Sequence, residues 1–437
     1  MSHYKPYPVY KDSGVEWIGE VPEHWEVKRM RHAAAFTNSN VDKKSYSGQD
    51  YITLCNYTDV YYNEFITSKI PFMPATASRD EITKFSLRKG DVLITKDSEA
   101  PDDIGIPSIV SEDVPGVICG YHLTLIRSSD LATARILHRV LQSHPTKAHF
   151  FVEAPGITRY GLSQDAIGDL RVCLPPPEER DAIADWIDRQ TARIDALITK
   201  KTRFIELLKE KRQALITHAV TKGLDPNVKM KDSGVEWIGE VPEHWEVTRI
   251  KWLTKLRIDR RNDSPEGYHY IGLEDIEPET GKLKPTENNS RQSEESNVAV
   301  FFCGDVLYGK LRPYLKKAII SEQEGICSTE FLIIRPVSVS PRWLQHWLLT
   351  SEVTQQIEAG CFGAKMPRTD WEHVSSIFMP IPDSTEQATI ISALDQQTAR
   401  IDLIIEKTQR SIDLLRERRS ALITAAVTGK IDIRGSL

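Results

Sequence analysis

Lys11-Asp-Ser-Gly-Val-Glu-Trp-Ile-Gly-Glu-Val-Pro-Glu-His-Trp-Glu-Val27 occurs a second time, without one change, at Lys231–Val247. Two shorter pairs answer it. Gln190-Thr-Ala-Arg-Ile-Asp195 returns at Gln397–Asp402 and Ala214-Leu-Ile-Thr217 at Ala421–Thr424, both 207 residues later. An internal repeat is read before any local pattern because it sets the unit of architecture. The chain is therefore two copies of one plan: an opening tag, a body, and a closing helix. In the tag, Gly14, Gly19 and Pro22 stand too close together for a helix. A folded turn anchored by Trp17 and Trp25 is expected. Each tag has a single histidine, His24 or His244, with no cysteine or second histidine beside it, so it is no metal site.

Outward from the tags, the two bodies share a frame and differ in filling. In the first body (28–173), Tyr51–Cys55, Asp91–Thr95, Ile106–Val110 and His122–Arg127 are short β-branched runs bounded by Gly, Pro and Asp. Ala132–Ser143 reads as a helix, and Leu170–Leu174 as a last strand before Pro175-Pro-Pro177. In the second body (248–380), Tyr270-Ile-Gly-Leu matches Tyr51-Ile-Thr-Leu, and Gly304-Asp-Val-Leu matches Gly90-Asp-Val-Leu. Gly325–Arg335 likewise matches Gly116–Arg127. The loops between matched strands do not correspond.

The closing segments carry apolar side chains at alternating three- and four-residue spacing, the pattern of a helix-pairing seam. They are Ile187, Ile194, Ile198, Ile205, Leu208 and Leu215 in the first copy, and Leu394, Ile401, Ile405, Ile412, Leu415 and Leu422 in the second. A Thr (191, 398) and an Arg (212, 419) interrupt each seam, which costs stability but fixes register. Each helix is too exposed alone, so its twin is the expected partner, antiparallel. The fold class expected is α+β: two pseudo-repeated globular domains separated by a pair of long antiparallel coiled-coil helices. The boundaries are 1–173 (tag 11–27), 174–225 for the central helix, 226–380 (tag 231–247) and 381–437 for the C-terminal helix.

Composition narrows the class. At 40% hydrophobic and 27% charged, the chain is that of an ordinary soluble protein. Its start lacks the apolar core of a signal peptide, and no apolar run approaches the ~18 residues that span a bilayer. Six scattered cysteines without a Cys-x-x-Cys pair suit reduced thiols in the cytoplasm. There is no phosphate-binding Gly-x-x-x-x-Gly-Lys-Ser/Thr loop, no Gly-x-Gly-x-x-Gly and no His-Glu-x-x-His. Pro101-Asp102 opens like a nuclease motif, but no Glu-x-Lys strand follows, and the Asn-Pro-Pro-aromatic motif of amino-methyltransferases is missing. No catalytic residue and no metal ligand is assigned. The formal charge of −6 argues mildly against nucleic acid, yet its distribution matters more, because basic residues cluster after each tag and at Lys310–Lys317. Such clusters also occur as ordinary solvated faces.

Trp-x-Gly-x-x-Pro-x-x-Trp opening each half, Gly-Asp-Val-Leu inside each body, and a Pro/Glu-rich entry into a Thr-Ala-Arg-Ile-Asp helix resemble the DNA-specificity subunit of type I restriction–modification systems. The resemblance covers almost the whole chain. It implies a non-catalytic subunit whose two bodies are target-recognition domains, each reading one half of a bipartite, asymmetric site in double-stranded DNA. It implies helices that dock two methyltransferase subunits, and a translocase/endonuclease subunit that joins for cleavage. No cofactor is expected in this chain; S-adenosylmethionine, ATP and Mg²⁺ belong to the partners. Rivals are an orphan or antirestriction DNA-binding protein without methyltransferase partners, and a self-contained DNA-modifying enzyme. Candidate DNA contacts in the first body are Lys96 and Ser98 after Gly-Asp-Val-Leu, with Arg159 and Tyr160. In the second they are Arg257, Arg260, Arg261 and Asn262, then Lys310, Arg312, Tyr314, Lys316 and Lys317, then Lys365 and Arg368. Arg suits guanine and Asn adenine, at ~1–3 kcal/mol of discrimination per good pair. The loop Asp91–Gly105 is net acidic, which weakens its case for phosphate contact.

Overall fold

The computed structural model describes residues 5–261, 268–284, 297–363 and 365–434. It divides into two compact units, Met1–Lys201 with Arg410–Leu437, and Thr202–Gln409. Two long helices, Pro177–Lys222 and Ser384–Val427, each give one half to either unit. The first helix starts on a proline followed by Glu178 and Glu179, where a missing N–H costs nothing and negative charge meets the positive end of the helix dipole. At the start of the second, Asp383 accepts the backbone N–H groups of Thr385 and Glu386 at 2.8 and 2.9 Å, capping two otherwise orphaned donors. Both helices end on a left-handed glycine, Gly223 (φ +75°) and Gly429 (φ +69°), a conformation that costs glycine little.

In the first unit, Ile183, Ala184, Trp186 and Ile187 share a core with Leu422, Ile423, Ala425, Ala426 and Val427. Further along the central helix, Asp195 meets Arg419, which lies before those residues on its own helix. Advancing on one helix therefore retreats on the other: they run antiparallel. The second unit repeats the arrangement, with Arg212 on Asp402 at 3.0 Å, each 207 residues from its counterpart. Each seam arginine is thus an ion-pair partner for an aspartate of the facing helix. Thr191 and Thr398 are buried, and their hydroxyls donate to the carbonyls of Asp188 and Leu394. Along the seam, Ile187, Ile194, Ile205, Leu208, Leu394, Ile401, Ile412 and Leu422 are buried, while Ile198, Leu215, Ile405 and Leu415 are half-buried.

The bodies are built on matching sheets. The first unit has a five-stranded sheet in the order Ala35–Asn38, Leu123–Arg127, Val92–Thr95, Pro107–Val110, Phe65–Ile66. The second has Thr254–Arg257, Phe331–Pro336, Val306–Gly309, Ala318–Ile320 in the corresponding places. A smaller sheet accompanies each and contains one parallel pair, Asp50–Cys55 with Val117–Cys119, or His269–Ile271 with Gly325–Ser328. The Gly-Asp-Val-Leu repeat marks the entry to the central strand. Asp91 accepts from the Arg88 N–H and from Arg127, and Asp305 accepts from the Phe302 N–H and from Arg257. The motif is a turn lock.

Each tag forms a small antiparallel ladder, Tyr10–Asp12 with Glu20–Pro22 and Met230–Asp232 with Glu240–Pro242. Trp25 and Trp245 are fully buried; Trp17 is 55% exposed, whereas its counterpart Trp237 is half-buried and packs against the core beside Trp347, so the first tag has one tryptophan anchor and the second has the expected two. His24 and His244 bond Glu179 and Glu386 in the first turns of the two long helices. Of the six cysteines, Cys303 is exposed and Cys361 half-buried; the rest are buried. No helix among the described residues is long and apolar enough to cross a membrane.

Candidate nucleic-acid interface

The central strand of each body runs out into a loop with the same main-chain wiring in both units. In the first, the Lys96 N–H donates to the His122 carbonyl at 3.0 Å, and the Lys96 carbonyl accepts from the Leu162 N–H at 2.8 Å. In the second, the Lys310 N–H donates to Glu330 at 2.9 Å, and the Lys310 carbonyl accepts from Thr369 at 3.0 Å. A short antiparallel pairing follows in each: Tyr160 and Gly161 against Ser98 and Asp97, and Arg368 against Leu311. Far-apart segments thus meet at equivalent points, Lys96–Ser98 with Tyr160 and Gly161, and Lys310–Arg312 with Pro367 and Arg368.

The side chains on this shared frame are of opposite character. In the first unit Asp97 is the hub: Lys96 Nζ lies 2.7 Å and His122 Nδ1 2.5 Å from its Oδ2. Burial acts to raise the Asp97 carboxyl, but the hydrogen bonds from Lys96 and His122 outweigh it and hold it below the usual carboxylate range. Lys96 also lies over the Tyr121 ring, at 5.3 Å. Ser98 is buried, its hydroxyl accepting from the Ala100 N–H. Tyr160 is half-buried and Arg159 exposed. Tyr61, stacked on Tyr57, donates to Asp103 at 2.7 Å. Glu99 and Asp102 of the same loop are exposed, so the surface offers carboxylate acceptors and aromatic rings.

The second unit offers donors. Arg312 and Lys365 are exposed, Lys310 is half-buried, and Tyr314 is 45% exposed. Arg368 is exposed and pairs with Glu330 at 3.1 Å. Lys316 and Lys317 are occupied within the protein. Lys316 Nζ donates to Ser351 Oγ at 2.9 Å and Lys317 Nζ to the Leu273 carbonyl at 2.6 Å. Burial, then the charge of Lys284, pushes the Lys317 ammonium down from its ordinary value. Arg257 is likewise engaged, with Asp305 at 2.7 Å and over the Phe302 ring at 4.4 Å. Arg260 and Arg261 are exposed on an edge strand of the smaller sheet, Arg261 over Tyr268 at 5.7 Å. Asn262 lies outside the described residues.

Sequence reasoning missed Tyr121, His122 and Glu330. The signal was available, since His122 and Glu330 begin the matched strands ending at Arg127 and Arg335, where the repeat is aligned but its residues differ. Among the described residues no group of three or more His, Cys, Asp and Glu is placed to hold a metal ion.

Fold and interface together define a duplicated α+β scaffold that carries one acceptor-rich and one donor-rich surface on equivalent loops. The likeness to type I specificity subunits is borne out by comparison with known proteins. The chain is 21% identical over 378 residues to the type I restriction enzyme EcoDI specificity subunit of Escherichia coli, covering 83% of this chain and 82% of that one. It is 21% identical over 429 residues to the putative MjaX specificity subunit of Methanocaldococcus jannaschii, covering 95% and 96%. A chain from a solved structure on complex assembly and conformational transition of the type I R-M system superposes with a TM-score of 0.67 at 15% identity. That match covers 94% of this chain and 99% of the other, and shows that the fold is shared. No family model matches the sequence.

Proposed function

We propose that this chain is the sequence-reading, non-catalytic subunit of a type I restriction–modification complex. Each unit reads one half of a bipartite, asymmetric site in double-stranded DNA. The observation that carries the reading is the pair of identically wired loops with opposite side-chain chemistry: one frame placing two surfaces, each suited to different base edges. Arg and Lys donors suit guanine O6 and N7, and carboxylate acceptors suit the amino groups of cytosine and adenine. The long helices, repeated in both units, are the docking surface for two methyltransferase subunits, which bring S-adenosylmethionine. A translocase/endonuclease subunit brings ATP and Mg²⁺. The complex works in the cytoplasm.

Exchange of the first body tests the reading. The chain, assembled with its methyltransferase subunits, is compared with a chimera in which residues 28–173 come from another such subunit, by mapping methylated adenines on genomic DNA. One half-site is expected to change and the other to persist. If both change, or if methylation needs no particular sequence, the modular account is wrong. Turnover by the lone chain would show instead a self-contained enzyme, and DNA binding without methyltransferase capture an orphan binder.

A further inference from the structure

We propose that Arg312 is the guanine-reading side chain of the second unit, held for that task by a strained turn. The inference rests on the DNA-reading function above and gives one base contact to one residue. Its starting point is backbone geometry. Four non-glycine residues among those described have a left-handed backbone: His122 (φ +71°), Glu279 (φ +65°), Arg312 (φ +52°) and Lys316 (φ +48°). Three of them lie at the loops described above, and the fourth is tied to one of these loops, the Glu279 N–H donating to the Lys316 carbonyl at 3.2 Å. Residues with a Cβ avoid this region, at a cost of roughly 1–2 kcal/mol each, and persist there only where surrounding structure enforces it.

The enforcement is visible on both sides of Arg312. Its N–H donates to the Pro367 carbonyl at 2.8 Å, and its carbonyl accepts from the Leu315 N–H at 2.9 Å. Pro313 is buried, and Lys316, at the far end of the turn, is moored by its ammonium to Ser351. Only the side chain of Arg312 is left loose: it is exposed and has no ion partner among the described residues. A phosphate contact asks little of backbone position, since a long flexible cation can find an oxygen from many starting points. Two-pronged recognition of guanine asks much more, because the planar guanidinium must meet O6 and N7 together. Strain spent on fixing a Cα fits the second task.

The first unit shows what the same position does without an arginine. Ser98 stands where Arg312 stands, paired with Tyr160 as Arg312 is bonded to Pro367, and it is buried with its hydroxyl engaged. The guanine contact therefore belongs to the second half-site alone.

The test uses the full chain assembled with its methyltransferase subunits, and selection of bound duplexes from a library randomised in both half-sites. Arg312→Lys and Arg312→Ala are expected to relax the preference at one guanine of one half-site, by roughly 5- to 150-fold. The other half-site stays as it was. Arg312→Gly, which frees the backbone, gives the same relaxation in a protein that folds at least as well. A duplex with 7-deazaguanine at the affected position, lacking N7, weakens wild type and leaves the variants unaffected. Lys365→Ala supplies the contrast, a uniform loss across sequences with a salt dependence shallower by about one ion. A uniform loss from the Arg312 variants, or an unchanged preference, overturns the assignment while leaving the DNA-reading function intact. Failure of the wild-type complex to select any sequence overturns that function itself.

Discussion

Replacing Arg419 with methionine should loosen the first unit by up to about 2 kcal/mol at neutral pH. Its guanidinium bridges Asp195 on the central helix, at 3.0 Å, and Glu64 in the body, at 2.5 Å, and Glu64 is held by Arg139 as well. Burial acts to raise the Glu64 carboxyl. The charges of Arg139 and then Arg419 outweigh it, and the carboxyl titrates at about 2 in place of 4.5. A fall of that size corresponds to roughly 3 kcal/mol, of which Arg419, ranking after Arg139, supplies less than half. Asp195 is about half exposed, so its pair adds only ~0.5 kcal/mol. The sign is set by the depressed carboxyl: its contribution is complete above the unfolded value near 4.5 and is lost as pH falls toward 2. Urea unfolding of wild type and Arg419→Met over that range, with amide exchange to locate the loss, measures both quantities. A difference under ~0.5 kcal/mol at pH 7, or one that does not narrow on acidification, refutes the reasoning.

Burial holds the His138 imidazole down, at about 3 in place of 6.5, so the unfolded chain takes up a proton that the folded chain refuses. Stability should therefore fall as pH drops from 6.5 toward 3, and His138→Gln should flatten that slope in unfolding experiments across the window. The two helix-terminating glycines should respond unequally to alanine. A Cβ on Gly429 would lie 2.2 Å from Pro22, whereas one on Gly223 would meet Trp245 at 3.4 Å. Gly223→Ala should cost about 1–2 kcal/mol for its left-handed backbone, and Gly429→Ala clearly more, read as the drop in unfolding free energy.

Much of the scaffold could be read from the repeats. The spacing of Ile187, Ile194 and Ile205, and of their counterparts Leu394, Ile401 and Ile412, is a local signal whose period names both the helix and its buried face. Asp91–Thr95 and His122–Arg127 were legible as strands because β-branched runs sit between turn residues. The interface was harder. Lys317 and Arg257 look like free cations in sequence, yet one is bonded to the Leu273 carbonyl and the other to Asp305, contacts made across 44 and 48 residues. Nor does composition show that Lys310 and Arg368 share a seam, since the bonds joining those segments are made by the main chain. The second tryptophan of each tag was legible as an anchor; the exposure of Trp17 depends on what packs beside it.

That seam has a consequence for how such a molecule changes. Lys96 and Lys310 are stitched in place through N–H and C=O groups that every amino acid except proline possesses. What projects from the stitched positions is therefore free to drift, because the stitching does not depend on it. New DNA preferences can accumulate there, residue by residue, without the scaffold having to be rebuilt for each one.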